Sequence, residues 1–228
     1  LTDLNAQTHR RCIKSHLAFD GLPYFPQVKY IIVARDVRDV FMSLWNHYAS
    51  FTDSFYEDMK NRVVHESRVL PRYDGDIHKG WRDWTTRGWF EWESEGYPFW
   101  GNMHHTKTFW EFRHLPNILF VHYNNLLDSS RAEIRRITEY IGLNVTDQQI
   151  DKVVELTSFQ NVKANSDQIM GKMESFKGGS KSFINKGTNG RWKGIFSENE
   201  LKLYDEAVER VLTPDCAHWL ETGQMTAI

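Results

Sequence analysis

The sequence predicts an α/β protein with a largely parallel sheet, and two kinds of segment lead to that prediction. Residues 29 to 34 form a continuous run of β-favouring residues, typical of a strand buried on both faces, and residues 117 to 122 form a second such run. Each run is followed by a segment whose apolar residues recur every three or four positions, as on the buried face of a helix. Alternating strands and helices favour a parallel sheet flanked by helices.

The first strand and helix are joined by a tight turn at Arg35 and Asp36. Asp36 has the short carboxylate that caps helix N-termini. Ligands of open α/β sheets gather at the carboxyl ends of strands, where free helix N–H groups attract anions. Arg35 is therefore a candidate anion-binding residue, and Ser43 lies about two helical turns further on. The alternative is that Arg35 only pairs with Asp36 or Asp39.

The other elements follow from local signals. Residues 11 to 17 are compatible with a short strand before the first unit. Gly142 stands where a helix after the second strand should stop. Three Ser/Thr-x-x-Glu/Gln capping boxes predict helix starts, at Ser130 with Glu133, Thr146 with Gln149, and Ser197 with Glu200.

Composition narrows the class of protein. The 228 residues predict a single domain over 1–228, and the longest apolar runs are far shorter than the ~20 residues of a membrane span. The 28 basic and 30 acidic residues argue against a protein that coats nucleic acid. Two distant cysteines give no zinc or disulfide pattern, and the polar first residues are unlike a signal peptide, so a cytoplasmic protein is expected.

Residues 78 to 112 are unusually aromatic, with 11 aromatic side chains in 35 positions. A concave apolar wall suits a ring or alkyl ligand, so this segment is predicted to form part of a binding pocket or its lid. The alternative is that Trp81 with Trp84, and Trp89 with Trp92, pack a helix on the core, since both pairs have helical spacing. The sequence leaves both interpretations open.

Residues 163 to 193 are basic, with seven Lys and Arg side chains against two acidic ones. Gly187 and Gly190 allow the backbone to approach a phosphate closely, Lys186 supplies charge, and Phe183 offers a face to a base. A solvated, mobile loop is the alternative.

An imidazole that can take a proton near neutral pH is present at His16, and Lys14 shares its face of the first predicted strand. A lone histidine is more often a surface or packing residue. Spacing alone does not choose His16 among the ten histidines of the chain.

Four regions, in order along residues 11 to 193, resemble motifs of the cytosolic type of sulfotransferases that use 3′-phosphoadenosine 5′-phosphosulfate (PAPS), and the first of them, residues 11 to 48, contains two motifs. Lys14-Ser15-His16-Leu17 resembles their KTHLP segment, and the stretch from Val33-Ala34-Arg35 to Ser43 resembles their VAR-xxx-DV-xxS stretch. Val121-His122-Tyr123 is similar to their strand ending in tyrosine, Thr157-Ser158-Phe159 to their TSF segment, and residues 183 to 193 to their F-x-R-K-G-x-x-G-D-W-K motif.

The resemblance implies the sulfotransferase fold, which is similar to that of P-loop nucleotide kinases, with PAPS as co-substrate, PAP as product and no metal. It implies that His16 is the general base and Lys14 its neighbour at the reacting centre. Arg35 and Ser43 are implied to hold the 3′-phosphate. The other implied nucleotide-binding residues are Tyr123, Thr157 and Phe159 around the adenine, and Phe183, Ile184, Lys186 and Gly187 in the closing loop.

The sequence departs from the family pattern at Asn185, where the family has arginine, at Arg191, where it has aspartate, and at Ala18, where it has proline. The family's phosphosulfate loop, in which a lysine and a Ser/Gly/Thr run open a helix, has no counterpart in these 228 residues. We therefore expect the chain to be an N-terminally incomplete part of a longer protein.

The predicted function is transfer of a sulfuryl group from PAPS to a hydroxyl, or alternatively an amine, of a small aromatic, steroid-like or lipid acceptor. The resemblance also allows a homodimer. One alternative is a catalytically inactive nucleotide-binding or interaction module. A nucleotide-dependent kinase is a weaker alternative, because the sequence has no identifiable Walker lysine or magnesium-binding aspartate at a strand end.

Overall fold

The structure is a computed structural model that describes residues 6–62 and 69–226. Its strands are β1 (Tyr30–Ala34) and β2 (Ile118–His122). Its helices are α1 (Val37–Ser50), α2 (Asp53–Arg62), α3 (Ile77–Thr86), α4 (Asn102–Trp110), α5 (Tyr123–Asp128), α6 (Ser130–Ile141), α7 (Asp147–Thr157), α8 (Phe159–Ala164), α9 (Ser166–Met170), α10 (Gly179–Phe183), α11 (Glu198–Val211) and α12 (Pro214–Thr222). Within the described ranges, every helix is too short or too polar to cross a membrane.

The two strands pair in parallel, with Tyr30 opposite Ile118 and Ala34 opposite His122. The α/β class with helices around a parallel sheet is confirmed. The prediction of burial on both faces is correct for β2 but wrong for β1, where Ile31 and Val33 are exposed. β1 is followed by a two-residue turn and a helix, and β2 is followed directly by a helix, which places Arg35 and Tyr123 at one edge of the sheet.

The strand predicted at residues 11 to 17 is wrong, because this segment is irregular. Its residues are exposed, and no described strand lies beside it to complete a ladder. The backbone N–H of Leu17 donates to the Ser15 hydroxyl at 3.0 Å, a local turn in place of strand pairing. The segment that carries Lys14 and His16 is therefore held by side-chain contacts.

The predicted helix signals are mostly confirmed. The capping boxes at Thr146 and Ser197 are both formed, and Gly142 ends α6 in the left-handed region with φ 74°. The box predicted at Ser130 is wrong, because Glu133 pairs with Arg136 at 2.6 Å and α6 begins without a side-chain cap.

The core lies between the sheet, α1, α3, α4, α11 and α12. Trp81 and Trp84 of α3 are fully buried there, so the packing interpretation is confirmed for this pair. Trp89 and Trp92 lie instead in a turn closed by a bridge between Gly88 and Gly96, and Trp92 is 65% exposed.

Candidate active site

The site is built where the two parallel strands end. Ala34 and His122 are paired in the sheet, so the residues that follow them meet at its edge. There the guanidinium carbon of Arg35 lies 4.4 Å from the centre of the Tyr123 ring. A cation over an aromatic face is a favourable contact, and it joins two of the predicted nucleotide-binding residues.

The closing loop, residues 183 to 193, covers this edge of the sheet. Arg35 donates from Nη2 to the Thr188 carbonyl at 2.8 Å and from Nε to Asn189 Oδ1 at 2.9 Å. Asn189 in turn donates to Asn124 Oδ1 at 2.7 Å. The loop is therefore attached to the residues that follow both strands.

Asp39 holds the same loop from the first turns of α1. Its side chain is buried, and it accepts from the backbone N–H of Gly190 at 2.8 Å and of Arg191 at 3.4 Å. The alternative pairing of Arg35 with Asp39 is present at 3.9 Å, a distance longer than that of a charge-assisted hydrogen bond. Burial lowers the pKa of Arg35, an effect that Asp39 opposes.

The other end of the loop docks on the C-terminal half of α1. Phe183 stacks on His47, with ring centres 4.5 Å apart and planes inclined by 19°. The Nε2 of His47 lies 3.2 Å from the Phe183 carbonyl oxygen, and Asn46 donates to the Ser182 carbonyl at 3.4 Å. Stacking of Phe183 on an adenine stays a prediction, since in this structure its face meets an imidazole.

Ser43 lies between these two attachments. Asp39, Ser43 and His47 are spaced four residues apart, so they share one face of α1, and the loop contacts both ends of that face. Sequence reasoning singled out Ser43 and missed Asp39 and His47 as loop-holding residues. Their spacing, four residues before and four residues after Ser43, is the sequence signal that places them on the same helix face.

The loop also meets the junction of α7 and α8. Gly187 has φ 66°, and a Cβ at this position would overlap the ring of Phe159. Glycine is therefore required both by the backbone conformation and by the lack of space. Lys163 lies over the Phe159 ring at 5.4 Å and donates to the Asn185 carbonyl at 2.6 Å. These contacts bring the TSF segment and the closing loop together.

The remaining predicted nucleotide-binding residues surround this junction. Thr157 is the exposed last residue of α7, where its hydroxyl donates to the Val153 carbonyl at 2.7 Å. Ile184 is half-buried and Lys186 exposed.

The two predicted catalytic residues lie apart from the predicted nucleotide-binding residues. His16 and Lys14 are exposed, and the His16 ring meets the edge of Trp100 at 5.8 Å. Among the described residues, no side-chain contact joins this pair to the loop. Trp100 belongs to the aromatic segment, so at least one of its tryptophans borders the predicted reacting centre.

Helix α4 holds the His16 segment in place. The backbone N–H of Phe19 donates to the Thr108 hydroxyl at 3.0 Å, and His104 Nε2 lies 3.0 Å from Asp20 Oδ2. On the same helix, burial lowers the pKa of His105 to about 4, with the charges of His16 and His104 adding to the decrease.

The electrostatics keep imidazoles neutral. Partial desolvation of the ring lowers the pKa of His16 below its usual value of about 6.5, and the Lys14 charge lowers it further. A neutral imidazole at neutral pH is the form that accepts a proton. In the described ranges, no three His, Cys, Asp or Glu side chains are grouped so that they would hold a metal ion.

Comparison with known proteins decides the family. The model of the sulfotransferase domain matches residues 1–215. The chain belongs to the sulfotransferase domain family. The predictions of the family and of its fold are thereby confirmed.

The relatives differ in how much of their length the chain covers. The glycolipid sulfotransferase of Mycobacterium bovis (strain BCG / Pasteur 1173P2) is 25% identical over 241 residues, 97% of this chain and 72% of the relative. Sulfotransferase 1A1 of Rattus norvegicus is 26% identical over 219 residues, 90% of this chain and 64% of the relative. The sulfotransferase chain thus spans about two thirds of these proteins.

Solved structures share the fold. Mouse sulfotransferase SULT7A1 complexed with PAP superposes with a TM-score of 0.72 at 20% identity, over 96% of this chain and 72% of that one. Retinol dehydratase in a complex with retinol and PAP gives a TM-score of 0.70 at 25% identity, over 93% of this chain and 57% of that one. These similarities support the predicted enzyme class, a PAPS-dependent sulfotransferase.

Proposed function

We propose that the protein transfers a sulfuryl group from PAPS to a hydroxyl of a small aromatic, steroid-like or lipid acceptor. The observation that carries the proposal is the assembly at the carboxyl end of the sheet. There Arg35 contacts Tyr123 at 4.4 Å and the loop carbonyl of Thr188 at 2.8 Å. Three separate segments with family motifs thus meet in one place, where an α/β sheet binds its ligand.

The residues present fit an adenosine bisphosphate. Arg35 offers a guanidinium, the donor that best matches a phosphate, and Ser43 a hydroxyl on the face of α1 that the loop covers. Tyr123, Phe159 and Thr157 supply aromatic and polar surface for the adenine, and the loop from Phe183 to Gly187 closes over the nucleotide. Bound PAPS supplies the sulfuryl group and a phosphate leaving group.

The proton of the acceptor hydroxyl passes to His16. Its lowered pKa keeps Nδ1 or Nε2 free to accept that proton at neutral pH. Lys14 is the positive group nearest to the base in sequence, and its charge favours the neutral imidazole. Trp100 at the edge of His16 provides an apolar wall for the acceptor.

The apolar surface of Trp100 and the names of similar proteins both point to the class of acceptor. The mycobacterial relative is named for glycolipids, and retinol dehydratase has been captured with androsterone and with retinol. We propose a ring-bearing or lipid alcohol, with an amine as a less favoured nucleophile. A single domain over 1–228, a homodimer, a cytoplasmic location and independence of metal and nucleic acid stay predictions.

The test measures binding and transfer separately in the purified protein. Calorimetric titration with PAP reports nucleotide binding, and incubation with ³⁵S-labelled PAPS and a panel of phenols, sterols and glycolipids reports transfer. Binding of PAP with label appearing in an acceptor is the expected result. Binding of PAP with no labelled product from any acceptor favours the inactive nucleotide-binding module, and binding of ATP in place of PAP favours the kinase. Either outcome overturns the proposal.

A further inference from the structure

Arg191 is a half-buried arginine without an anionic partner. Its Nε is buried with no hydrogen-bond partner, and among residues 6–62 and 69–226 its guanidinium makes no ion pair. In the part of the chain that the structure describes, the other half-buried arginines each have a carboxylate within 4.0 Å, namely Arg35, Arg38, Arg113, Arg135 and Arg136. Leaving a partly buried guanidinium unpaired is costly, so an anionic ligand would stabilise this side chain.

The position of Arg191 is defined by the helix face that carries Ser43. Its backbone N–H donates to Asp39 at 3.4 Å, at the first end of that face. After burial, which is the larger effect, the charge of Arg191 lowers the pKa of both Arg35 and His47. Arg35 precedes α1 and His47 lies near its C-terminal end, and Ser43 lies between them on the face whose first end the Arg191 backbone contacts.

The charge balance of this region calls for an anion. Arg35 and Arg191 repel each other, and the Asp39 carboxylate, which lies 3.9 Å from Arg35, already accepts two backbone N–H groups of the loop. A phosphate dianion would relieve that repulsion and accept from both guanidinium groups and from the Ser43 hydroxyl. A carboxylate has two oxygens and a terminal phosphate three, so the phosphate is the better acceptor for three donors.

We infer that Arg191 is a phosphate-binding residue, which holds the 3′-phosphate of the nucleotide together with Arg35 and Ser43. The inference rests on the proposed function and adds to it a residue that the family motif does not supply. Asn185, which occupies the place of the motif's arginine, offers its carbonyl to Lys163 and has no charge of its own. Arg191 thus restores at a second position of the loop the charge that is missing at the first.

The experiment compares nucleotides that differ only in the 3′-phosphate. Calorimetric titrations with PAP and with adenosine 5′-phosphate are made on the wild-type protein and on Arg191→Ala. Loss of a charge-assisted contact should weaken PAP binding about 10- to 100-fold and leave adenosine 5′-phosphate binding within about twofold. Lys193→Ala is the matched control, because it removes the same charge from an exposed position two residues away and should change neither affinity.

A rescue variant tests the placement. In the Arg191→Ala background, Asn185→Arg should recover most of the lost preference for PAP, since the charge returns to the motif position. Arg191→Gln keeps a polar stem and serves in place of Arg191→Ala if thermal unfolding shows that the latter does not fold.

The outcomes separate the two proposals. A wild-type protein that binds PAP no more tightly than adenosine 5′-phosphate does not recognise the 3′-phosphate, which overturns the proposed function. A wild-type preference for PAP that survives in Arg191→Ala and Arg191→Gln overturns only the role of Arg191.

Discussion

His16 and Arg35 illustrate how two residues of one predicted site are prepared for different tasks. The pKa of His16 is lowered by partial desolvation of its ring and by Lys14, which favours a free imidazole nitrogen. Arg35 is held against Tyr123 and the loop, which favours a fixed guanidinium. A base affects the rate of proton transfer, whereas a fixed cation affects the affinity for an anion, so variants at these positions should give opposite kinetic patterns.

His16→Ala should lower the turnover number about 10²- to 10⁴-fold, the usual contribution of a general base, and leave PAP affinity within a few-fold. Steady-state kinetics with a good acceptor and calorimetry with PAP measure the two quantities. His9→Ala is the control, because His9 is exposed and near in sequence. A His16→Ala variant that kept more than about a third of wild-type turnover, a loss of under 1 kcal/mol, would assign the proton transfer to another group.

Lys14→Ala should raise the pKa of His16. The nearby ammonium disfavours a second positive charge, so its removal lets the imidazole protonate at higher pH. An NMR titration of the His16 ring should give a midpoint below about 6.5 in the wild-type protein and a higher one in the variant. An unchanged or lower midpoint in Lys14→Ala contradicts the electrostatic link between the two side chains.

Arg35→Ala should weaken PAP binding by roughly 1.5 to 3 kcal/mol, about 10- to 150-fold. The loss has two sources, because Arg35 offers a phosphate contact and also holds the loop through Thr188 and Asn189. Calorimetry with PAP checks it, and Arg131→Ala, at an exposed ion pair distant in sequence, is the charge-matched control. Equal affinity in wild type and Arg35→Ala removes Arg35 from the site.

The sequence predicted these residues because their signals are local: a basic residue at a strand end and a histidine in a recognisable segment. It did not predict Asp39 or His47, whose roles depend on a loop that docks about 150 positions later in the chain. Side-chain chemistry can be read from a motif, whereas the contacts that hold the motif depend on distant segments. The lack of a carboxylate beside Arg191 among the described residues also depends on how distant segments pack, so the motif does not show it.

At the scale of elements, α4 has an unusual N-terminus. Glu95 is 1% exposed and accepts from the backbone N–H groups of Met103 and His104, both at 3.1 Å, while its Oε2 has no hydrogen-bond partner. Burial raises the pKa of this carboxyl to about 7, against the hydrogen bonds, which lower it. Since α4 also supports the His16 segment, its stability bears on the predicted reacting centre.

Glu95→Gln should remove a pH dependence of the unfolding free energy. A folded-state pKa raised from 4.5 to about 7 means that Glu95 is neutral in both states below about pH 4.5. As pH rises to 7, the unfolded state ionises first and the native state loses stability, by at most about 3 kcal/mol. In urea unfolding between pH 5 and 8, the unfolding free energy of Glu95→Gln should therefore rise relative to that of the wild type as the pH increases.

The control for this prediction is Glu91→Gln, at an exposed position in the same turn. The unfolding free energy of this control should have the same pH dependence as that of the wild type. If Glu95→Gln also runs parallel to the wild type, the carboxyl ionises at its ordinary pKa and the unpaired Oε2 has no energetic consequence.

Elements were predictable where their signals are complete within a few residues. Thr146 with Gln149 forms a capping box as expected, because both hydrogen bonds lie inside one turn. Ser130 with Glu133 has the same pattern and fails, since Arg136 takes the carboxylate of Glu133. The strand expected at residues 11 to 17 fails for a similar reason, because a strand needs a partner that the segment itself does not contain.

At the scale of the whole molecule, one loop joins three parts of the fold. It contacts the end of β1 through Arg35, the first turn of α1 through Asp39, and the junction of α7 and α8 through Lys163. These contacts are polar and either exposed or only partly buried, so we expect the loop to open more readily than the core. A nucleotide that bridges the same three parts would couple them.

PAP should slow amide hydrogen exchange across residues 183 to 191. Binding stabilises the closed loop by RT ln(1 + [L]/Kd), so at 100 Kd of PAP the amides that exchange by loop opening should slow by up to about 100-fold. The amides of Gly190 and Arg191, which bond to Asp39, report this opening directly. Asp39→Asn provides the matched variant: it weakens those two bonds and should speed exchange in the free protein, while PAP still slows it. Strong and equal protection with and without PAP would mean that the loop is already closed, and that nucleotide enters by another route.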